Sequence, residues 1–411
     1  MKHFISRRNF LKAAGVTAAA SAMAAAVPQA SAGFLTGKDA AVTILYTNDV
    51  HTYIDNKSPK LTYAAIAAMK QGYVDEGKPV LLVDAGDHIQ GTAYGSMDDG
   101  ATIIELMNEA GYDIATLGNH EFDYGMARAK AIIKEADFPY VSCNWVDLRT
   151  GLRVLPAVKL FPAGGKWIAF VGITTPESFT KSTPAYFMNA KQTKYIYDIL
   201  GGDDGRKLYD AVQKAIDKAK TLGADIIIGL GHLGVDPSSS PWTSEEVIAN
   251  TTGFDAFIDG HSHSVITAGP NGEDIQSTGT AFANIGVITI DNATKKIVGN
   301  ELKGIWHKEK VEGKDVTVVD YKTRDEKVAA AAKAIIDPIN QAYGEKFAVS
   351  KVTLNGAKAP NGNRDSETNL GDLITDAMLW KIRSDATIKV PVENVVAITN
   401  GGGIRATVKA G

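Results

Sequence analysis

The sequence predicts an α/β fold, and two observations carry that expectation. Short apolar, β-branched runs at Val42–Thr47, Val80–Asp84, Ile114–Leu117, Ile168–Ile173, Ile226–Leu230 and Phe254–Asp259 read as buried strands. Helical stretches separate them. In one, Leu208, Val212, Ala215, Ile216 and Ala219 recur at three- and four-residue spacing, as one buried helix face requires. Strands alternating with amphipathic helices bury their apolar faces as α/β layers.

A chain of 411 residues, 45% hydrophobic and 22% charged, has enough apolar material for one large core or two smaller ones. Its net charge of -4 provides no basic field to track a phosphate backbone, so nucleic acid polymers are not expected partners. Cys143 is the single cysteine, which excludes an intrachain disulfide and a thiolate metal cage. Any metal must therefore be held by nitrogen and oxygen. Most of the 8 histidines sit beside Asp, Asn or Gly at the ends of apolar runs.

The first segment is an address. Ser6-Arg7-Arg8-Asn9-Phe10-Leu11-Lys12 precedes an Ala-rich, mildly apolar stretch that ends in Ala30-Ser31-Ala32, a twin-arginine signal with an A-x-A cleavage site. Residues 1–32 are then removed and the mature chain begins at Gly33. Its transient partner is the twin-arginine translocase, and its destination is periplasmic or otherwise extracytoplasmic. Elsewhere no run approaches the about 20 apolar residues that cross a bilayer.

The expected catalytic domain covers residues 33–324. A bridging helix follows over residues 325–345, opening at Asp325-Glu326-Lys327 and running through Ile335 and Ile336 towards Tyr343, with a kink or break at Pro338. The stretch Asn355–Asn363 is rich in Gly, Pro and Asn and reads as loop. Residues 346–411 form a second unit, with Leu370, Leu373, Ile374, Ala377 and Met378 at helical spacing and a strand at Val395–Thr399. One helix and about one strand cannot bury a core alone, so this unit reads as an incomplete α/β domain.

The chemistry lies at strand ends. Asn48-Asp49-Val50-His51 follows the first run, Asp84-Ala85-Gly86-Asp87 closes the second, and Gly118-Asn119-His120-Glu121-Phe122-Asp123 follows the third. Later come Gly231-His232 and Gly260-His261-Ser262-His263. The carboxyl ends of strands share one edge of an α/β sheet, so these clusters can converge on one site. Asp, His and Asn supply the ligands that Mn, Zn, Fe or Co accept, and the neighbouring glycines allow sharp turns. A single histidine after a strand is more often structural; five such clusters together are not. His3, His88 and His307 are assigned no function.

In this order the motifs DVH, GDHIQG, GNHEFD, GH and GHSH resemble the signature set of calcineurin-like metallophosphoesterases, and their spacing with the later NGGGIR resembles the bacterial 5′-nucleotidase branch. That resemblance, which spans nearly all of the mature chain, implies a four-layer α/β/β/α sandwich. It also implies two divalent metal ions, with Asp49, His51 and His263 on one, Asn119, His232 and His261 on the other, and Asp87 bridging. Two ions about 3.5–4 Å apart would polarise the phosphoryl oxygens and activate a water. His120 and Asp123 resemble the family's catalytic dyad, in which a carboxylate orients an imidazole that stabilises developing charge; the other reading of His120 is a further metal ligand. His263 departs from relatives that carry Gln there.

On the substrate side, Arg364 with Asn400, Gly402, Gly403 and Arg405 matches positions that hold substrate in the family, and guanidinium forks suit phosphate. Three glycines after a strand also make an ordinary tight turn. The family sandwiches the nucleoside base between aromatic residues beyond this motif. The resulting expectation is hydrolysis of nucleoside 5′-monophosphates, with nucleotide sugars or 2′,3′-cyclic nucleotides as related substrates. The alternatives are a sulfate thiohydrolase of sulfur oxidation on the same fold, a truncated fragment that hydrolyses simple phosphoesters with impaired nucleotide binding, and a degenerate, non-catalytic fragment or binding protein.

Overall fold

The computed structural model describes residues 41–54, 62–269, 271–304, 306–311, 314–319, 324–358, 360–385, 387, 389, 391–404 and 406–411. The twin-arginine segment with its cleavage position, His3 and Arg405 lie outside them. The chain divides into two compact units, Met1–Ile339 and Asn340–Gly411.

In chain order the first unit contains strands β1 (Val42–Thr47), β2 (Val80–Asp84), β3 (Ile114–Ala115), β4 (Trp145–Asp147), β5 (Leu152–Arg153), β6 (Val158–Ala163), β7 (Lys166–Thr174) and β8 (Tyr197–Ile199). They continue with β9 (Ile226–His232), β10 (Ala256–Ile258), β11 (Val265–Ile266), β12 (Ile275–Thr278), β13 (Asn284–Ile290), β14 (Ile297–Gly304) and the hairpin strands β15 (Trp306–Val311) and β16 (Lys314–Val319). The helices are α1 (Tyr63–Asp75), α2 (Ala93–Ser96), α3 (Ala101–Ala110), α4 (Met126–Glu135), α5 (Ser178–Lys181), α6 (Arg206–Thr221), α7 (Ser244–Ala249), α8 (Glu326–Tyr343), whose residues from Asn340 onward count with the second unit, and, in the second unit, α9 (Asn369–Ser384).

Two sheets form the body, one of order β14-β13-β1-β2-β3 and one of order β11-β12-β10-β9-β7-β6. In the first, β1, β2 and β3 are parallel, with Leu45 opposite Leu82 and Asp84 opposite Ala115. In the second, β7, β9, β10 and β12 are parallel. Successive side chains of β1 go to opposite faces. Ile44 and Tyr46 join Leu81, Val83, Phe170, Ile228 and Ile258 in a core shared by the two sheets, whereas Leu45 and Leu82 face a core built with α1, α3 and α4. On the far side Val171, Ile227 and Phe257 pack on Leu208, Val212, Ile216 and Ala219 of α6. Helix, sheet, sheet, helix is the expected four-layer sandwich, and burial of both sheet faces explains the near-continuous apolar runs.

Several expectations need correction. The third strand stops at Ala115, although Thr116 N still donates to Asp84 O at 3.0 Å and its hydroxyl to the Val141 carbonyl at 2.9 Å. The run at Phe254–Asp259 contributes only Ala256–Ile258. β7 and β9 instead run longer than expected, since they stay paired as far as Thr174 opposite His232. Helix α8 is not broken at Pro338. Proline there removes a hydrogen bond, but the buried stripe Val328, Ala332, Ile335 and Ile339 continues past it, so side-chain packing offsets the lost bond.

In the second unit α9 is capped by Thr368, whose hydroxyl accepts from Gly371 N at 3.2 Å. The strand expected at Val395–Thr399 is absent. Val396 and Ile398 are 82% and 85% exposed, and no described residue pairs with this stretch. A strand requires a neighbour to share its ladder; the bridge that this unit does form joins Leu354 to Val408.

Candidate metal centre

The parallel strands deliver the polar clusters to one place. Asp49 and His51 leave β1, Asp87 leaves β2, Asn119 and His120 leave β3, His232 ends β9, and His261 and His263 follow β10. Three groups of potential ligand atoms result, each within 4.8 Å: Asp49 with His51 and His263, His51 with Asp87 and His120, and Asp87 with His232 and His261. His51 and Asp87 each belong to two groups, so the groups are continuous. Asn119 joins them through its neighbour, since the His120 N–H donates to Asp87 Oδ1 at 2.9 Å.

Tight turns produce this convergence. Asp49, His51, Asp87, His261 and His263 all have positive φ, between 48° and 77°. Each left-handed non-glycine residue costs about 1–3 kcal/mol, a strain that persists only where the surroundings enforce it. They do so here. Asp49 N donates to Gly86 O at 3.0 Å and His51 N to Asp87 O at 2.9 Å, locking the β1 loop to the β2 loop. Asn48 accepts from Thr278 N at 2.8 Å and donates to Asp49 Oδ2 at 2.7 Å. Gly118 must be glycine, because a Cβ there would run into Asp87 Oδ1 and come within 2.7 Å of the His232 ring.

Glu121 was not singled out in the sequence. Completely buried, its carboxylate accepts from the backbone N–H groups of Asp87, His88, Gly118 and Ile89 at 2.8, 2.8, 2.7 and 3.3 Å. It therefore clamps the β2 loop to the β3 loop. Asp259 does similar work elsewhere, accepting from Leu233 N and Gly234 N at 2.8 and 3.0 Å. His88 bridges Asp84 Oδ1 at 2.9 Å and Tyr140 Oη at 2.8 Å in the interior. Glu177 meets His261 Nε2 at 2.7 Å. These residues act on backbone groups or side chains that folding brings near, which local sequence does not reveal.

The donor atoms have the chemistry a cation requires. His51 Nδ1 lies 2.9 Å from the Gln90 carbonyl oxygen and His232 Nδ1 lies 2.6 Å from that of Ala85. Carbonyl oxygens only accept, so both Nδ1 atoms carry a proton and Nε2 is the atom that each ring can offer to a cation. His51 Nε2 faces His263 Nε2 at 3.0 Å. His232 Nε2 faces Asp87 Oδ2 at 3.1 Å without hydrogen-bond geometry. The buried Asn119 Oδ1 also lacks a hydrogen-bond partner. Lone pairs converging in a buried space are stabilised by a positive charge between them, and N/O donors of this kind suit divalent transition metals.

The electrostatics agree. Burial pushes the His51 imidazole down to about 4 despite the nearby carboxylates of Asp87 and Asp49, so it is neutral and ready to ligate at neutral pH. Burial also opposes charge on His232, yet Asp87 and Asp49 outweigh it and raise that ring to about 10, so the centre draws positive charge: a second proton on this ring, which a bound cation would displace. Against the cost of burial, His232 holds Asp49 below the usual carboxylate range and Asp87 well below it. His120 Nδ1 and Asp123 Oδ2 are 2.5 Å apart at the partly open side of the site, where the side chains are 16% and 21% exposed.

Among the expected substrate residues, Arg364, Asn400, Gly402 and Gly403 lie in the second unit. Asn400 Oδ1 caps the Gly401–Gly403 turn by accepting from Gly402 N at 3.0 Å. The Arg364 guanidinium lies 3.7 Å from where a Gly402 Cβ would stand, so these residues share one corner of the unit.

Residues 42–265, more than half of the chain, match the calcineurin-like phosphoesterase family. The chain belongs to that family. This phosphoesterase also matches the twin-arginine translocation signal at residues 5–24 and the 5′-nucleotidase C-terminal domain at residues 346–411. It is therefore exported by the twin-arginine route, and none of its described helices is long and apolar enough to cross a membrane. The family implies divalent metal ions at the centre just described.

The phosphoesterase is 27% identical over 408 residues to a snake venom 5′-nucleotidase of Gloydius brevicauda, covering 89% of this chain and 63% of the relative. It is 28% identical over 406 residues to the endonuclease YhcR of Bacillus subtilis, covering 90% and 30%. Its fold matches a 5′-nucleotidase precursor from Thermus thermophilus with a TM-score of 0.65 at 24% identity, covering 90% of this chain and 71% of that one. The chain thus spans less than two thirds of the two curated relatives.

Proposed function

We propose that the phosphoesterase hydrolyses nucleoside 5′-monophosphates to nucleoside and phosphate outside the cytoplasmic membrane, with two divalent ions at its centre. The observation that carries this reading is the continuous donor set in which Asp87 lies between His51 on one side and His232 on the other, at 3.8 and 3.1 Å. Asp49, His51 and His263 would hold one ion, Asn119, His232 and His261 the other, and Asp87 both. When bound, such ions polarise phosphoryl oxygens and acidify water.

The chain's own residues supply the rest. Asp123 fixes the His120 ring by accepting a hydrogen bond from Nδ1–H, which leaves Nε2 as the nitrogen that can act on substrate. From there His120 stabilises charge developing on the phosphoryl group or the leaving oxygen. Arg364, Asn400, Gly402 and Gly403 receive the nucleotide on the second unit, together with Arg405, which lies outside the described residues. Nucleotide sugars and 2′,3′-cyclic nucleotides are related substrates. A chain of net charge -4 favours small nucleotides over polymers.

The test compares phosphate release from AMP and from an aryl phosphate, with Mn or Zn added to the mature protein and with Asp87→Ala as control. Turnover of both, lost in the control, supports the reading. Turnover of the aryl ester alone removes the nucleotide assignment, and cleavage of a DNA oligonucleotide in preference to AMP removes the small-substrate assignment.

A further inference from the structure

We propose that Glu177 is a positioning residue for the metal centre, acting through His261; this rests on the metal-centre reading above. His261 Nε2 lies 2.7 Å from Glu177 Oε2. An ionised carboxylate only accepts, so the proton sits on Nε2 and Nδ1 is left as the ring atom with a lone pair to give. His261 is also one of the three residues, with Asp87 and His232, whose ligand atoms lie within 4.8 Å of one another. Glu177 thus chooses which nitrogen of His261 is the ligand.

Its placement fits that task. Glu177 stands just before α5, on the loop after β7, a strand that contributes none of the ligands. The Ser239 hydroxyl donates to the same Oε2 at 2.6 Å, and Lys181 Nζ is 3.5 Å from Oε1. Both contacts hold the carboxylate still without competing for the imidazole. The backbone of His261 is fixed separately, its N–H donating to Asp49 Oδ2 at 3.0 Å and Oδ1 at 3.2 Å. The main chain of His261 is therefore held by Asp49 and its ring by Glu177. A carboxylate behind a ligating imidazole fixes its tautomer and orientation and raises its basicity.

A purely structural role would look different. Through Ser239 the carboxylate also ties the β7 loop to the turn after β9, and that tie needs no metal. Wild type, Glu177→Ala, Glu177→Gln, Ser239→Ala and Asp87→Ala are stripped with a chelator, titrated with Zn by calorimetry, and melted in EDTA. Glu177→Ala is expected to weaken one of two binding steps by about 10–100-fold, with little change in the EDTA melting temperature. Glu177→Gln keeps an acceptor but loses the charge, and is expected to weaken the same step about tenfold, the lower end of that range. Ser239→Ala leaves the carboxylate on His261 and should lose clearly less than Glu177→Ala. Wild-type affinity in either Glu177 variant, or an equal loss in Ser239→Ala, overturns the proposal. If wild type takes up no ion, or Asp87→Ala binds as well as wild type, the metal-centre reading itself falls, and the two failures are told apart.

Discussion

Glu121 offers the sharpest test of how the site is held. Its Oε1 accepts from His88 N and Ile89 N, and its Oε2 from Asp87 N and Gly118 N. Three of these contacts are 2.7–2.8 Å, and all lie in the interior. Truncation to alanine strands three well-bonded N–H groups, each costing about 1–3 kcal/mol when buried without a partner. Relaxation of the loops recovers part of that, so the expected loss is about 4 kcal/mol, near the upper end for a single substitution. At about 2 °C per kcal/mol for a unit of this size, the melting temperature in EDTA falls by roughly 8 °C. Glutamine should rescue little. Its amide nitrogen would replace one oxygen and point two protons at N–H groups that already carry their own. Thermal and urea unfolding of wild type, Glu121→Ala and Glu121→Gln would measure this, and a Glu121→Gln variant as stable as wild type would refute the four-donor clamp.

Three further outcomes are expected. His120→Ala lowers kcat by about 10²–10⁴-fold while metal content, read by elemental analysis, stays that of wild type; lost metal would instead make His120 a ligand. Chelation lowers the melting temperature, and readdition of metal to a hundredfold excess over its Kd restores about 2.7 kcal/mol per site, a shift that Asp87→Ala should lack. Cys143 is 1% exposed, and burial pushes its thiol up to about 12. A thiol reagent at pH 8 should therefore label it only after unfolding, and stoichiometric labelling of the native protein would contradict this.

How much of this was legible in the sequence depended on whether the signal was local. The strands buried on both faces announced themselves as apolar runs, and the strip Leu208–Ala219 as a helix face. β13 did not, although it pairs antiparallel with β1 over Val42–Tyr46 and completes the first sheet. Its Ile285, Val287, Ile288 and Ile290 are as apolar as the strands that were read, but nothing local shows that they pair with β1. The candidate ligands were legible because side chains that bind cations come from a short list and here each followed an apolar run. Glu121, Asp259 and Glu177 escaped notice because their partners are backbone groups or rings brought near by folding. The strand expected at Val395–Thr399 shows the opposite error, since β-branched residues favour extended backbone but do not provide a neighbour.

The chain separation within the centre has a consequence for durability. His51 and His263 face each other from positions 212 residues apart. A divalent ion shared between them would act on the chain as a cross-link. By loop-closure entropy a tie over that span removes about 5 kcal/mol of freedom from the unfolded chain, which is what a disulfide contributes in many exported proteins. With Cys143 as its single cysteine, this chain cannot form that bridge within itself. The ions that serve the reaction would then also be its covalent-like staples, reversible and removable by any chelator the protein meets outside the cytoplasm.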